Sequence, residues 1–229
     1  MPRHRRRPEP DPASIVSTPL HHTQPPATGH LSSRFSFSTP SNVSFIVDDL
    51  EDTWTFPAPF DFIFSRFLTG SISDWPAFFS QCYDSLAPGG TLELQDTVWT
   101  LLTDDDTIPR ASPLLRWTTL LRSAMARLHR PIDSAVHYES QLAAAGFVDV
   151  VVCRYKWPTN GWPRDRRHKL IGRWNCENVG GGLAAFSLAV LTRPREQGGL
   201  GWAVEEVERL LEGVRADLGD GAVHAYFPV

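Results

Sequence analysis

The chain has 229 residues, 41% of them hydrophobic and 21% charged, with a formal net charge of −4. That apolar content supports a real core and excludes a wholly disordered chain, and the acidic balance excludes a protein whose whole surface is built to hold nucleic acid. Cys82, Cys153 and Cys176 are too few and too scattered for a disulfide scaffold or a paired-cysteine zinc site. No run reaches the roughly 18 apolar residues of a membrane span, so neither a membrane nor a secreted setting is expected, and a cytoplasmic or nuclear location is.

In chain order, residues 1–41 are expected to be a disordered Pro/Ser/Arg-rich tail. Residues 1–40 hold eight of the 19 prolines, ten Ser or Thr, and four of the eight histidines. So few apolar residues cannot offset the entropy of ordering such a segment. Arg3, Arg5, Arg6 and Arg7 form a basic cluster that is either a nuclear-import address or a solvated charged end.

The body, 42–229, begins with the β-branched and aromatic run Val43–Val47, ending in Asp48-Asp49. Phe60–Phe64 is a second predicted strand. Ser73 or Asp74 can cap a helix that tolerates Pro76 in its first turn, and Phe78, Phe79, Cys82, Tyr83 and Leu86 recur at helical spacing. Pro88-Gly89-Gly90 precedes a strand over 91–95. Strand, helix, strand with tight turns predicts a βαβ unit and an α/β fold.

Beyond it, Leu114, Trp117, Leu121, Ala124 and Leu128 share one helix face. A helix over 139–145 ends at Gly146, and 147–152 is a predicted strand. Helices are expected at 164–176, 183–192 and 202–218, with Gly180-Gly181-Gly182 as a loop between the first two.

Several tracts in order carry a family resemblance: "NVSFIVDDLEDTWTF" (42–56), "FDFIFSRFLTGSISDWPAFFSQCYDSLAPGGTLELQD" (60–96), "AAGFVDV" (144–150), "WPRDRRHKLIGRW" (162–174), "GWAVEEVERLLEGVRADL" (201–218) and "HAYFPV" (224–229). Together they resemble the fungal class I S-adenosylmethionine-dependent methyltransferases of the group related to the global regulator of secondary metabolism. The resemblance implies a Rossmann-like sheet with added helices and the methyl donor across the carboxyl ends of its strands. It makes Val43–Val47 the third strand, Phe60–Phe64 the fourth and Leu92–Gln95 the fifth. Asp48, Asp49 and Leu50 are then expected on the adenosine side of S-adenosylmethionine, with Ser65 and Arg66 at the mouth of the fourth strand.

The family's Gly-rich loop has no counterpart in residues 1–41, which contain only Gly29. The matching domain is therefore expected to be incomplete at its N-terminal side and to stop inside its last strand. The function expected is methyl transfer to an unknown small-molecule or protein acceptor, with impaired donor binding. The alternatives are a non-catalytic relic or regulatory protein with a protein partner, and an incomplete product of an active enzyme.

No catalytic base is identifiable. Asp61 reads as a turn residue. Glu93 and Asp96 should face opposite sides of a strand, and His129, His137 and His168 lack metal-ligand spacing. Most of the eight tryptophans read as packing residues, with Trp157 and Trp162 as candidates to line an acceptor pocket.

Overall fold

The computed structural model describes residues 42–229. The chain divides into two units, Met1–Asp49 and Leu50–Val229. In the first, residues 42–49 form no helix or strand, and Phe45, Ile46 and Val47 are exposed. The expected strand Val43–Val47 is therefore absent. Its residues favour an extended chain, but a strand exists only when a neighbouring backbone takes up its N–H and C=O groups, and among the described residues no ladder includes it. The expected tail at 1–41 lies outside the described residues.

The second unit opens with the βαβ element. Strand β1 (Phe60–Arg66) and strand β2 (Leu86–Gln95) pair in parallel, with Ile63 opposite Leu92 and Ser65 opposite Leu94. β1 runs two residues beyond the expected Phe64, so Ser65 and Arg66 are its last two residues. Helix α1 (Trp75–Asp84) connects them. Asp74 is its N-cap, accepting from the Ala77 N–H at 2.9 Å, and Pro76 sits in the first turn, where its missing N–H costs nothing. The register of the pair jumps between Phe60 (opposite Leu86) and Phe62 (opposite Thr91), because Pro88-Gly89-Gly90 of β2 bulges out of the ladder. Gly89 has φ +84°, and a Cβ on Gly90 would lie 2.9 Å from the Ala87 carbonyl oxygen. Trp75, Phe78, Phe79 and Cys82 of α1 pack over Ile63, Leu92 and Leu94, joined by Tyr138 of helix α3 (Tyr138–Ala145). Gly146 ends α3 with φ +105°, as its position after the Ala run predicts.

The second core joins helices α2 (Pro113–Arg127), α4 (Arg166–Leu191) and α5 (Val204–Gly219) to a small antiparallel sheet. The sheet has the order β3-β5-β4, with β3 (Leu102–Thr103) and β4 (Lys156–Pro158) on either side of β5 (Ala225–Pro228).

Two expectations fail in this unit. Residues 147–152 form no strand; Val148 and Val151 are both 82% exposed and no ladder includes them, the same lack of a partner that leaves 43–47 unpaired. The predicted loop at Gly180-Gly181-Gly182 is instead the middle of α4, one continuous 26-residue helix. Each of these glycines costs roughly 1 kcal/mol relative to alanine in a helix. Burial on both flanks outweighs that cost: Val179 and Leu183 sit in the core, and Ser187 accepts a 2.8 Å hydrogen bond from the Trp117 indole.

Candidate functional site

The carboxyl end of β1 opens onto a slot of about 300 Å³ lined by Leu50, Trp54, Ser65, Arg66, Leu68 and Phe78, among others. Of the residues singled out from the sequence, Leu50, Ser65 and Arg66 come together here. Asp48 and Asp49 belong to the other unit. Both are exposed, and the Asp49 N–H donates to the Asp48 carboxylate at 3.0 Å.

Each wall of the slot is fixed by its own neighbours. The Trp54 N–H donates to Gln81 of α1 at 2.9 Å, its indole N–H donates to the Leu50 carbonyl at 3.1 Å, and its ring stands edge-on to Phe78. Glu51, next in sequence to Leu50, anchors this segment to the start of α1. Its carboxylate accepts from the Ser73 hydroxyl and N–H, pairs with Arg130 at 2.9 Å and accepts from the Asp74 N–H. The Ser73 hydroxyl first, then these other donors, holds the Glu51 carboxyl down at about 2.

Ser65 lines the slot. It is only 6% exposed, and its Oγ has no hydrogen-bond partner. A buried hydroxyl left unpaired is uncommon and calls for an explanation. Arg66 lies at the rim with its guanidinium 5.0 Å over the ring of Phe67. Phe67 has φ +54°, a left-handed conformation strained for an aromatic residue.

That strained turn is held by a buried network the sequence did not reveal. The Phe67 N–H donates to the Gln95 carbonyl, and the Thr69 N–H donates to Asp96 at 3.0 Å. The Tyr138 hydroxyl donates to the other Asp96 oxygen at 2.8 Å, and Ser134 links Tyr138 to Thr69. Burial pushes the Asp96 carboxyl above its ordinary value, against the pull of these donors. Burial, and then the adjacent Asp96 carboxylate, pushes the Tyr138 hydroxyl up as well. Asp96 thus follows β2 as a positioning residue for the loop after Arg66. Tyr138 stands 42 positions away and gives no local signal.

Trp157 and Trp162 have separate roles. Trp157 on β4 packs against Phe67 at 5.6 Å, while Trp162 stacks on His224 and donates to the Ala225 carbonyl. Among the described residues no three His, Cys, Asp or Glu gather to hold a metal, and no helix is long and apolar enough to cross a membrane.

A slot at the carboxyl edge of parallel strands is where open α/β domains take their ligands, and its lining suits a flat, largely apolar molecule that offers one hydrogen bond. The chain matches the family described as "Methyltransferase domain" over residues 7–152, and it belongs to that family. The match begins inside the segment expected to be a tail. Among curated proteins, the chain is 36% identical to "Probable methyltransferase tdiE" of Emericella nidulans over 83% of this chain and 59% of that protein. It is 39% identical to methyltransferase pytC of Aspergillus terreus, over 82% of this chain and 56% of that one. It is 35% identical to the secondary metabolism regulator LAE1 of Cochliobolus heterostrophus, over 82% of this chain and 61% of that one. The chain therefore spans less than two thirds of the length of each. The family generally takes its methyl group from S-adenosylmethionine, and its membership implies a methyl acceptor.

Proposed function

We propose that the chain acts in S-adenosylmethionine-dependent methyl transfer in fungal secondary metabolism, with the adenosine end of the donor in the slot between Leu50, Trp54, Ser65 and Phe78. The position of the slot at the carboxyl end of β1, where open α/β domains take their ligands, carries this reading. The Ser65 Oγ is closed off and unpaired in the unliganded protein, and it gains a partner when the hydroxyl turns towards a ligand in the slot. The apolar walls suit a purine face, and a volume of about 300 Å³ is at the low end of small-molecule pockets, enough for one end of the donor. When bound, the donor supplies an electrophilic methyl group. The residues of this slot bind and orient it, Arg66 at the rim and Ser65 within, while Asp96 and Tyr138 keep the loop after Arg66 in place. Among the described residues no Gly-rich turn follows a strand to cradle the donor's amino-acid end, so the slot accounts for the adenosine half alone.

Calorimetric titration of the protein with S-adenosylmethionine, and separately with adenosine, tests this. Both should bind, and Ser65→Ala should weaken both by about tenfold, the worth of one buried hydrogen bond. The same substitution should keep or raise the melting temperature, because the buried hydroxyl bonds nothing in the unliganded protein and its lost hydration is not repaid. Absence of binding by either compound would refute the reading. A second reading, a regulatory protein without turnover, rests on the similarity to a named secondary metabolism regulator. It predicts no methyl transfer even where the donor binds.

A further inference from the structure

The first turns of α4 carry an exposed cationic and apolar surface that the donor slot does not use. Between Trp162 and Trp174 the sequence places five cations, Arg164, Arg166, Arg167, Lys169 and Arg173, against one acid, Asp165. Asp165 is already engaged: it caps the helix by accepting from the His168 N–H at 2.9 Å and pairs with the His168 ring at 2.7 Å. Among the described residues none of the five cations has an ion pair. Three of them also stand in the opening turn of a helix, where the dipole disfavours positive charge. In a chain of net charge −4 this is a local concentration of uncompensated charge held in an unfavourable position.

Two large apolar side chains stand within it. Leu170 is 55% exposed and Trp174 is 69% exposed. Four residues apart on one helix, they lie on the same face. The surface is also rigidly backed. A Cβ at Gly172 would fall 1.9 Å from the Asn160 carbonyl oxygen, so α4 approaches the 158–160 turn as closely as a backbone can. Asn175 fastens the next turn by donating to the Pro158 carbonyl at 2.9 Å. Arg173 and Lys169 lie over Gly161, whose missing side chain leaves them room.

We propose that this face of α4 docks an acidic peptide segment of a protein partner, one that carries apolar side chains between its carboxylates. The cations supply charge complementarity and steering, while Leu170 and Trp174 supply the apolar anchor, Trp and Arg being the side chains most enriched where interfaces concentrate their energy. A lipid surface fits less well. Interfacial helices lay down a whole apolar face, and here the opposite face of α4 is buried in the protein, leaving two side chains to insert. Nucleic acid would use the cations but not Leu170, and it would meet an acidic protein around them.

The test is fluorescence anisotropy on the full chain at physiological salt, with a fluorescein-labelled synthetic peptide of repeated Asp-Leu-Glu-Phe units as the probe. The peptide should bind, and polyglutamate should compete at least about tenfold more weakly, since it lacks the apolar anchor. Arg166→Glu with Arg167→Glu, and separately Leu170→Ser with Trp174→Ser, should each weaken binding by about tenfold or more. Arg209→Glu on α5 should leave it unchanged. The charge reversal should keep or raise the melting temperature, because acids suit the first turn of a helix, so its loss of binding cannot be a loss of fold. Wild-type binding by both double variants would overturn the proposal. So would equal competition by polyglutamate, or tighter binding of duplex DNA or of phosphatidylserine vesicles than of the peptide.

Discussion

The βαβ region around α1 and the helical region around α2, α4 and α5 both bury large side chains, but they treat polar groups differently. In the helical region buried polar groups are paired: Trp117 donates to Ser187, Ser112 to Asp217 at 2.6 Å, and Asn160 and Asn175 to backbone carbonyls. Among the described residues, the three buried side-chain polar atoms left without a partner, on Ser65, Trp75 and Gln141, belong to the βαβ region and its companion helix α3. That region also exposes Phe64 and Phe67 and holds Phe67 in a left-handed conformation. One region is finished by its own residues. The other leaves groups unpaired, one of them, Ser65, in the lining of the slot.

Substitution should separate the two regions. Trp117→Ala removes the largest fully buried side chain of the helical region and leaves the Ser187 hydroxyl without its donor. It should cost about 3–5 kcal/mol in urea unfolding. Gly172→Ala should come next, at about 3 kcal/mol, because a methyl group there forces α4 away from Asn160. In the βαβ region, Tyr138→Phe should cost about 1–3 kcal/mol, since it leaves one oxygen of the buried Asp96 unpaired. It should also loosen the turn after Arg66, read as weaker adenosine binding. If Tyr138→Phe proved as damaging as Trp117→Ala, the contrast between the regions would fail.

The smallest effect is one of pH. The folded-state value of Glu51 lies below its ordinary 4.5, at about 2. Its contribution is therefore complete above about 4.5 and lost as pH falls toward 2. Trp54 fluorescence should report release of the Leu50–Trp54 segment across that window, and Glu51→Gln should abolish the transition.

What the sequence disclosed follows from how far each signal reaches. The start of α1 at Asp74, the face of α2 and the end of α3 at Gly146 were legible because caps and periodicity act within a few residues. The runs at 43–47 and 147–152 carry good strand composition, but pairing depends on distant backbone, and composition cannot supply it. Gly180–Gly182 read as a break because local propensity ignores the burial of Val179, Leu183 and Ser187 on either side. At the slot, Leu50, Ser65 and Arg66 came from the family resemblance. Trp54, Glu51 and the Asp96–Tyr138 pair emerged only from the fold. Local pattern sets Asp96 beside Glu93, three positions earlier, whereas its partner Tyr138 lies on another element.

The order of the small sheet bears on how the protein is made. β5 lies between β3 and β4 but follows both in the chain. A ribosome releases residues in sequence, so Leu102–Thr103 and Lys156–Pro158 must wait, unpaired, until residues 225–228 emerge. Pairings between distant stretches are slow to form, and waiting strands are open to wrong partners. The helices between them, α2, α4 and α5, can form from local signals meanwhile, so the sheet is a late closure rather than a nucleus.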